Sequence, residues 1–132
     1  VRRDTNGQLL VLFPDLPEAA TTVDSEEDLE AMAVDALESA IDIYFDAKRP
    51  VPIPSRVKRG QWSVNLPATA AAKAMLHNEL LAQGLKKAEL ARRMNIAAPN
   101  IERLFQARHA TRFDTLEAAF AALGRRLEIT VR

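Results

Sequence analysis

The chain has 132 residues, with 18 Lys/Arg against 18 Asp/Glu, 48% hydrophobic residues and no Cys. That hydrophobic content is too high for disorder, the lack of Cys excludes disulfides and thiolate metal sites, and no apolar run approaches the roughly 20 residues of a membrane-spanning helix. The zero net charge conceals a division: residues 1–67 carry 12 Asp/Glu against 7 Lys/Arg, whereas residues 68–132 carry 11 Lys/Arg against 6 Asp/Glu, so an acidic half of −5 precedes a basic half of +5.

In chain order, Asn6-Gly7 is a hairpin turn signal, because both residues accept positive φ. It predicts a strand over residues 1–3, shortened by the start at Val1 rather than Met, paired with a strand over 9–13 that Pro14-Asp15-Leu16-Pro17 breaks. Residues 19–23 form a third short strand. Ser25 and Asp28 have the spacing of a capping box, and the acidic first turn suits the positive end of a helix dipole. The helix they open, over 26–48, would run about 34 Å at 1.5 Å per residue. Leu29, Met32, Ala33, Ala36, Leu37, Ala40, Ile41 and Tyr44 make its apolar stripe; Asp35, Glu38 and Asp42 lie off it and read as a solvated face. The alternating prolines of Arg49-Pro50-Val51-Pro52-Ile53-Pro54 predict a stiff extended connection. Residues 61–66 alternate and read as a returning strand ended by Pro67.

The second half opens with an Ala-rich helix over 68–83, with Ala72, Met75, Leu76 and Leu80 as its stripe and Gly84 as its stop. His77, with no second ligand at metal spacing, reads as a surface or core residue. Lys86 to Phe105 then has the spacing of a helix-turn-helix. Ala91 is small where two helices cross, Asn95 tolerates a left-handed turn, and Leu90, Met94, Ile96, Ile101 and Leu104 face inward. The second helix of such a unit can lie in the major groove of DNA. Asp114 and Glu117 have capping-box spacing, Leu116, Ala119, Phe120 and Leu123 form another apolar face, and Gly124 ends it. Leu127, Ile129 and Val131 alternate with polar residues as a terminal strand. Its simplest pairing is with the same strand of a second copy across a twofold axis; joining the N-terminal sheet or packing alone are the alternatives. A dimer would also present two reading helices about 34 Å apart.

The run Gly7-Gln8-Leu9-Leu10-Val11-Leu12-Phe13-Pro14-Asp15-Leu16-Pro17, with Thr22, the acidic helix start and the Ile53-Pro54-Ser55 exit, resembles the HicB antitoxin family. Ala19-Ala20 departs from the Gly-Cys often found there. The resemblance implies an α+β fold: a small N-terminal sheet with one long helix, partial ribonuclease H-like, over 1–66, then an all-α helix-turn-helix domain with a C-terminal dimerisation strand over 67–132. It also implies the partners: a HicA-type toxin, which is a small messenger-RNA-cleaving protein with a catalytic histidine, and operator DNA. Residues 84–132 resemble the phage-repressor type of helix-turn-helix. By position, Lys87 is expected to meet phosphate; Ala98, Pro99, Asn100, Glu102 and Arg103 to lie exposed on the reading helix; and Gln106, Arg108 and Arg112 to meet backbone phosphate. Arg103 is the base-reading candidate, because Arg makes bidentate contact with guanine; Ala98 and Pro99 offer only apolar contact to a thymine methyl. Arg92, Arg93 and Arg125 read as a solvated face.

The resemblance implies a cytoplasmic antitoxin that is not an enzyme, needs no metal or other cofactor, touches no membrane, blocks its toxin and represses its own operon as a homodimer or higher oligomer. No residue is singled out for toxin contact. Two other readings stand beside it: a stand-alone repressor whose N-terminal domain senses another ligand, and a metal-dependent nuclease. The nuclease would need carboxylates converging on paired ions, and only Asp4 and Asp15 neighbour predicted strands.

Overall fold

A computed structural model describes residues 1–3, 7–52, 59, 61 and 63–131. Asp4, Asn6 of the expected hairpin turn, the Ile53-Pro54-Ser55 exit and Trp62 lie outside the described residues. The fold is α+β. Strands β1 (Arg2–Arg3), β2 (Leu9–Leu12) and β3 (Ala20–Val23) form an antiparallel meander in the order β1-β2-β3, with Leu9 opposite Val23 and Leu12 opposite Ala20. The period of two places Leu9 and Val11 on the buried face. There they meet Val23 and the first turns of helix α1 (Leu29–Ala47) through Leu29 and Ala33.

Helix α1 begins three residues later than the capping-box spacing suggests. A 3-10 turn occupies Glu26–Asp28, and the Ser25 hydroxyl donates to the Asp28 carboxylate at 3.4 Å instead of capping a backbone N–H. The expected stripe is buried except at its edge, where Met32 is exposed and Ala36 half-buried, and Phe45 joins it. Lys48, at φ 55, turns the chain out of the helix.

Helices α2 (Ala68–Ala82), α3 (Lys87–Met94), α4 (Ala98–Leu104) and α5 (Phe113–Ala122) follow. Gly84 and Gly124 adopt φ of 66° and 73° beyond α2 and α5, as their positions in the sequence predict. The buried face of α2 differs from the expected one. Ala70, Lys73, Ala74, Leu76, His77 and Leu80 point inward, whereas Met75 is 63% exposed. Helix α5 has no side-chain cap; Asp114 lies inside its first turn and pairs with Arg112 at 3.2 Å. One large apolar cluster runs from Leu16 and the second half of α1 through Leu76, Leu90, Ile101 and Leu104 to Leu116 and Phe120. The sheet side of α1 holds a smaller cluster of its own.

One expected strand is corrected. Residues 63–66 carry no strand ladder; Val64 and Leu66 spend their side chains packing on the core instead. Residues 125–131 make no strand pairing within the single chain and do not join the N-terminal sheet; the partner expected for them was the same strand of a second copy. Within that segment Leu127 packs against the core, while Ile129 and Val131 are 65% and 91% exposed.

Candidate functional site

The turn between α3 and α4 spans residues 95–97. Asn95 takes φ 55 and ψ 49, the left-handed conformation predicted for it, and the Ile96 N–H closes α3 by donating to the Ala91 carbonyl at 3.1 Å. Leu90 and Ala91 from α3 meet Ile101 and Leu104 from α4 in the core. Burying those two α4 residues leaves Ala98, Pro99, Asn100, Glu102 and Arg103 exposed on the opposite side. Pro99 sits in the first turn of α4, where its missing N–H costs no helical bond. The Arg103 guanidinium donates to Asn100 Oδ1 at 3.3 Å, so the two long polar side chains of this face lie together.

Beside them a cleft of about 280 Å³ opens between α4 and α5. Asn100, Arg103, His109, Thr111, Arg112 and Thr115 bring guanidinium, imidazole, amide and hydroxyl groups to its walls. Its polar wall carries donors and two guanidinium groups, Arg112 being paired with Asp114, while Ile96, Leu104 and Ala110 complete the lining. Such a lining suits an anionic backbone more than an apolar ligand.

The remaining sequence candidates divide. Lys87 opens α3, but its ammonium bonds the Glu102 carboxylate at 3.1 Å and lies 5.2 Å from the centre of the Phe105 ring. Gln106 is exposed, and its backbone carbonyl is used by Lys73. Arg108 is not brought to this face. Its guanidinium is held on α1, donating to the Asp35 carbonyl at 2.8 Å, the Asp35 carboxylate at 2.6 Å and the Ser39 hydroxyl at 2.7 Å. Arg92 and Arg93 both bond Glu89, whose carboxyl they hold below its ordinary range, so the reading of these two as a solvated face agrees with their placement.

What sequence reasoning missed lies behind the face. Lys73 is fully buried, and its ammonium donates to three carbonyls: Arg103 at 3.0 Å, Gln106 at 2.9 Å and His109 at 2.6 Å. Three N–H donors meet three acceptors, so the end of α4 and the loop after it close around one charge. Burial pushes the Lys73 ammonium down to about 8, against the pull of nearby Asp42. Asp42, on α1, accepts the Ala107 N–H at 2.8 Å from the other side of the same loop. The available signal was the repeat of Ala70, Lys73, Ala74 and His77, a helical face in which two polar residues replace apolar ones. His77 is buried too. Its Nε2 donates to the Arg49 carbonyl at 2.7 Å, and its ring lies 4.8 Å from that of Phe45. Burial lowers its pKa, opposed by that bond.

Among the described residues, no three His, Asp or Glu side chains gather as a metal site, and no helix is long and apolar enough to cross a membrane. Residues 1–75 match the family model described as HicB-like antitoxin of bacterial toxin–antitoxin system. Over 119 residues, covering 90% of this chain and 84% of the relative, the chain is 43% identical to antitoxin HicB 2 of Photorhabdus laumondii. It is 37% identical over 125 residues to antitoxin HicB 1 of the same organism, covering 95% of this chain and 79% of that one. It is 34% identical over 125 residues to antitoxin HicB of Escherichia coli K12, covering 95% and 91% of the two. These relatives are named as antitoxins, not enzymes. An antitoxin by family, the chain belongs to the HicB-like proteins of bacterial toxin–antitoxin systems.

Proposed function

We propose that the protein neutralises a HicA-type messenger-RNA-cleaving toxin through a partial ribonuclease H-like domain over 1–66 and represses its own operon through a helix-turn-helix domain over 67–132. In this reading α3 and α4 are the two helices of the motif, α4 enters the major groove, and the cleft between α4 and α5 takes backbone phosphate. The observation that carries it is the exposed Asn100–Arg103 pair beside a cleft walled by His109 and Arg112. Arg103 reads a base, and Lys87, shared with Glu102, contributes charge near the duplex. Ile129 and Val131, exposed and unpaired among the described residues, join Leu127 in the dimer strand. The cytoplasm, where toxin and operator both lie, is its place of action.

The toxin-facing half is acidic. Glu26, Glu27, Asp28 and Glu30 are exposed around the start of α1, a surface suited to occupy the ground that RNA takes on a basic ribonuclease. Co-expression with the small basic protein of the neighbouring gene tests this half: the pair should co-purify and separate as salt is raised, and association indifferent to salt would sink the charge-pairing mechanism. For DNA, Arg103→Ala should relax sequence choice, losing about 1–3 kcal/mol of discrimination at one base pair. Lys87→Ala should weaken all sequences alike and lessen the salt slope. Equal effects of both substitutions on specific and random duplexes would count against these roles.

A further inference from the structure

The reading face is built at the end of α4, a helix of two turns that cannot fix its own geometry. Its last carbonyls and those of the following loop accept weak local bonds and are tied more firmly from outside. Lys73 of α2 takes the carbonyls of Arg103, Gln106 and His109, and Asp42 of α1 takes the Ala107 N–H. Arg108 then reaches back to Asp35 and Ser39, a second tie between the loop and α1. The loop is therefore gripped from both sides, by a buried cation and by a carboxylate that faces it. Arg103 before the loop and His109 and Arg112 within it are among the residues that wall the cleft.

We infer that Lys73 and Asp42 are positioning residues for DNA recognition: they touch no nucleic acid, yet they set where Arg103, His109 and Arg112 stand, which makes α1 of the N-terminal half a working part of the DNA-reading surface. This rests on the DNA-reading role proposed above. Sequence choice demands that donors be held to within about half an ångström, which only side chains locked by a supporting shell achieve. Attraction to phosphate tolerates looser geometry. Loosening the loop thus costs specificity before it costs general affinity.

The test uses the full chain and two fluorescent duplexes: the DNA immediately upstream of the protein's own gene, and a scrambled duplex of the same composition. The wild type should prefer the upstream duplex; equal binding to both overturns the DNA-reading role itself, before any variant is consulted. Asp42→Ala should lose roughly tenfold on the upstream duplex, the scale of one imperfect base contact. Its scrambled-duplex affinity and its salt slope should stay near the wild type, since Asp42 meets no phosphate. Asp42→Asn removes the same charge but keeps an oxygen for the Ala107 N–H, so it should recover most of the loss. If Asp42→Ala matches the wild type, or Asp42→Asn fails as badly as Asp42→Ala, the positioning role is overturned. One measurement needs no variant: in the wild type the Ala107 amide should exchange hydrogen as slowly as amides inside α2, and exchange at the rate of an open loop would overturn the clasp.

Discussion

Helix α2 holds two loops, and it holds them by different chemistry. Toward the end of α1, Asn78 closes a two-bond ring on Val51, accepting its N–H at 2.7 Å and donating to its carbonyl at 2.9 Å, while His77 takes the Arg49 carbonyl. Toward the end of α4, Lys73 takes three carbonyls with one ammonium. The first clasp faces a segment that offers both a donor and acceptors, so a neutral amide and imidazole suffice. The second faces converging carbonyls alone, and only a group with three donors and no lone pair satisfies them all. The number and kind of converging backbone groups thus decide which side chain is buried, even where burial of a charge is costly.

If that contrast holds, Lys73→Met should be the most damaging single change. It fills the space but removes three charge-assisted bonds and leaves the carbonyls to the weaker Gln106 N–H, His109 N–H and Thr111 hydroxyl, at about 3 kcal/mol or more in total. Urea unfolding measures it, and a loss below about 1 kcal/mol would mean that the loop re-satisfies itself without the charge. Asn78→Ala should cost less, about 2 kcal/mol for two neutral bonds, again by urea unfolding. Equality between the two would erase the distinction between the clasps.

His77 should give the smallest effect, visible through pH. Its folded pKa is lowered, chiefly by burial, while the unfolded chain titrates near 6.5. Below that value the unfolded state binds the proton first, so the stability His77 contributes is complete above about 6.5 and is lost as pH falls through its lowered folded pKa. The urea midpoint of the wild type should therefore drop between pH 7 and pH 5 by more than that of His77→Gln, which keeps a donor for the Arg49 carbonyl but does not titrate. Parallel curves would remove His77 from the acid response.

Much of the fold was legible. A continuous apolar run between two turn signals marks β2, the 3.6-residue stripes mark α1 and α5, and Asn95 and Gly84 mark turns because few residues accept positive φ. The inward set at Leu90, Ala91, Ile101 and Leu104 and the outward set from Ala98 to Arg103 follow from the same periodicity. Less legible was anything that depends on a distant partner. Residues 61–66 alternate, but alternation does not say whether a neighbouring strand stands within reach. The capping-box spacing at Ser25 and Asp114 names residue types, whereas the cap forms only if the preceding backbone takes the right entry. Arg108 looked like a phosphate contact by position, yet Asp35 and Ser39, about seventy residues earlier, hold it.

Local pattern by itself determined the helices, the left-handed turn before α4, the charge division and the family, because each of these is written in neighbouring residues. Tertiary structure alone decided the fate of Lys73, His77, Asn78 and Asp42. In the sequence they are ordinary polar residues of two helices, as suited to solvent as to an interior. Only the convergence of three carbonyls on one point of α2, and of a loop N–H on α1, turns burial from a penalty into a requirement.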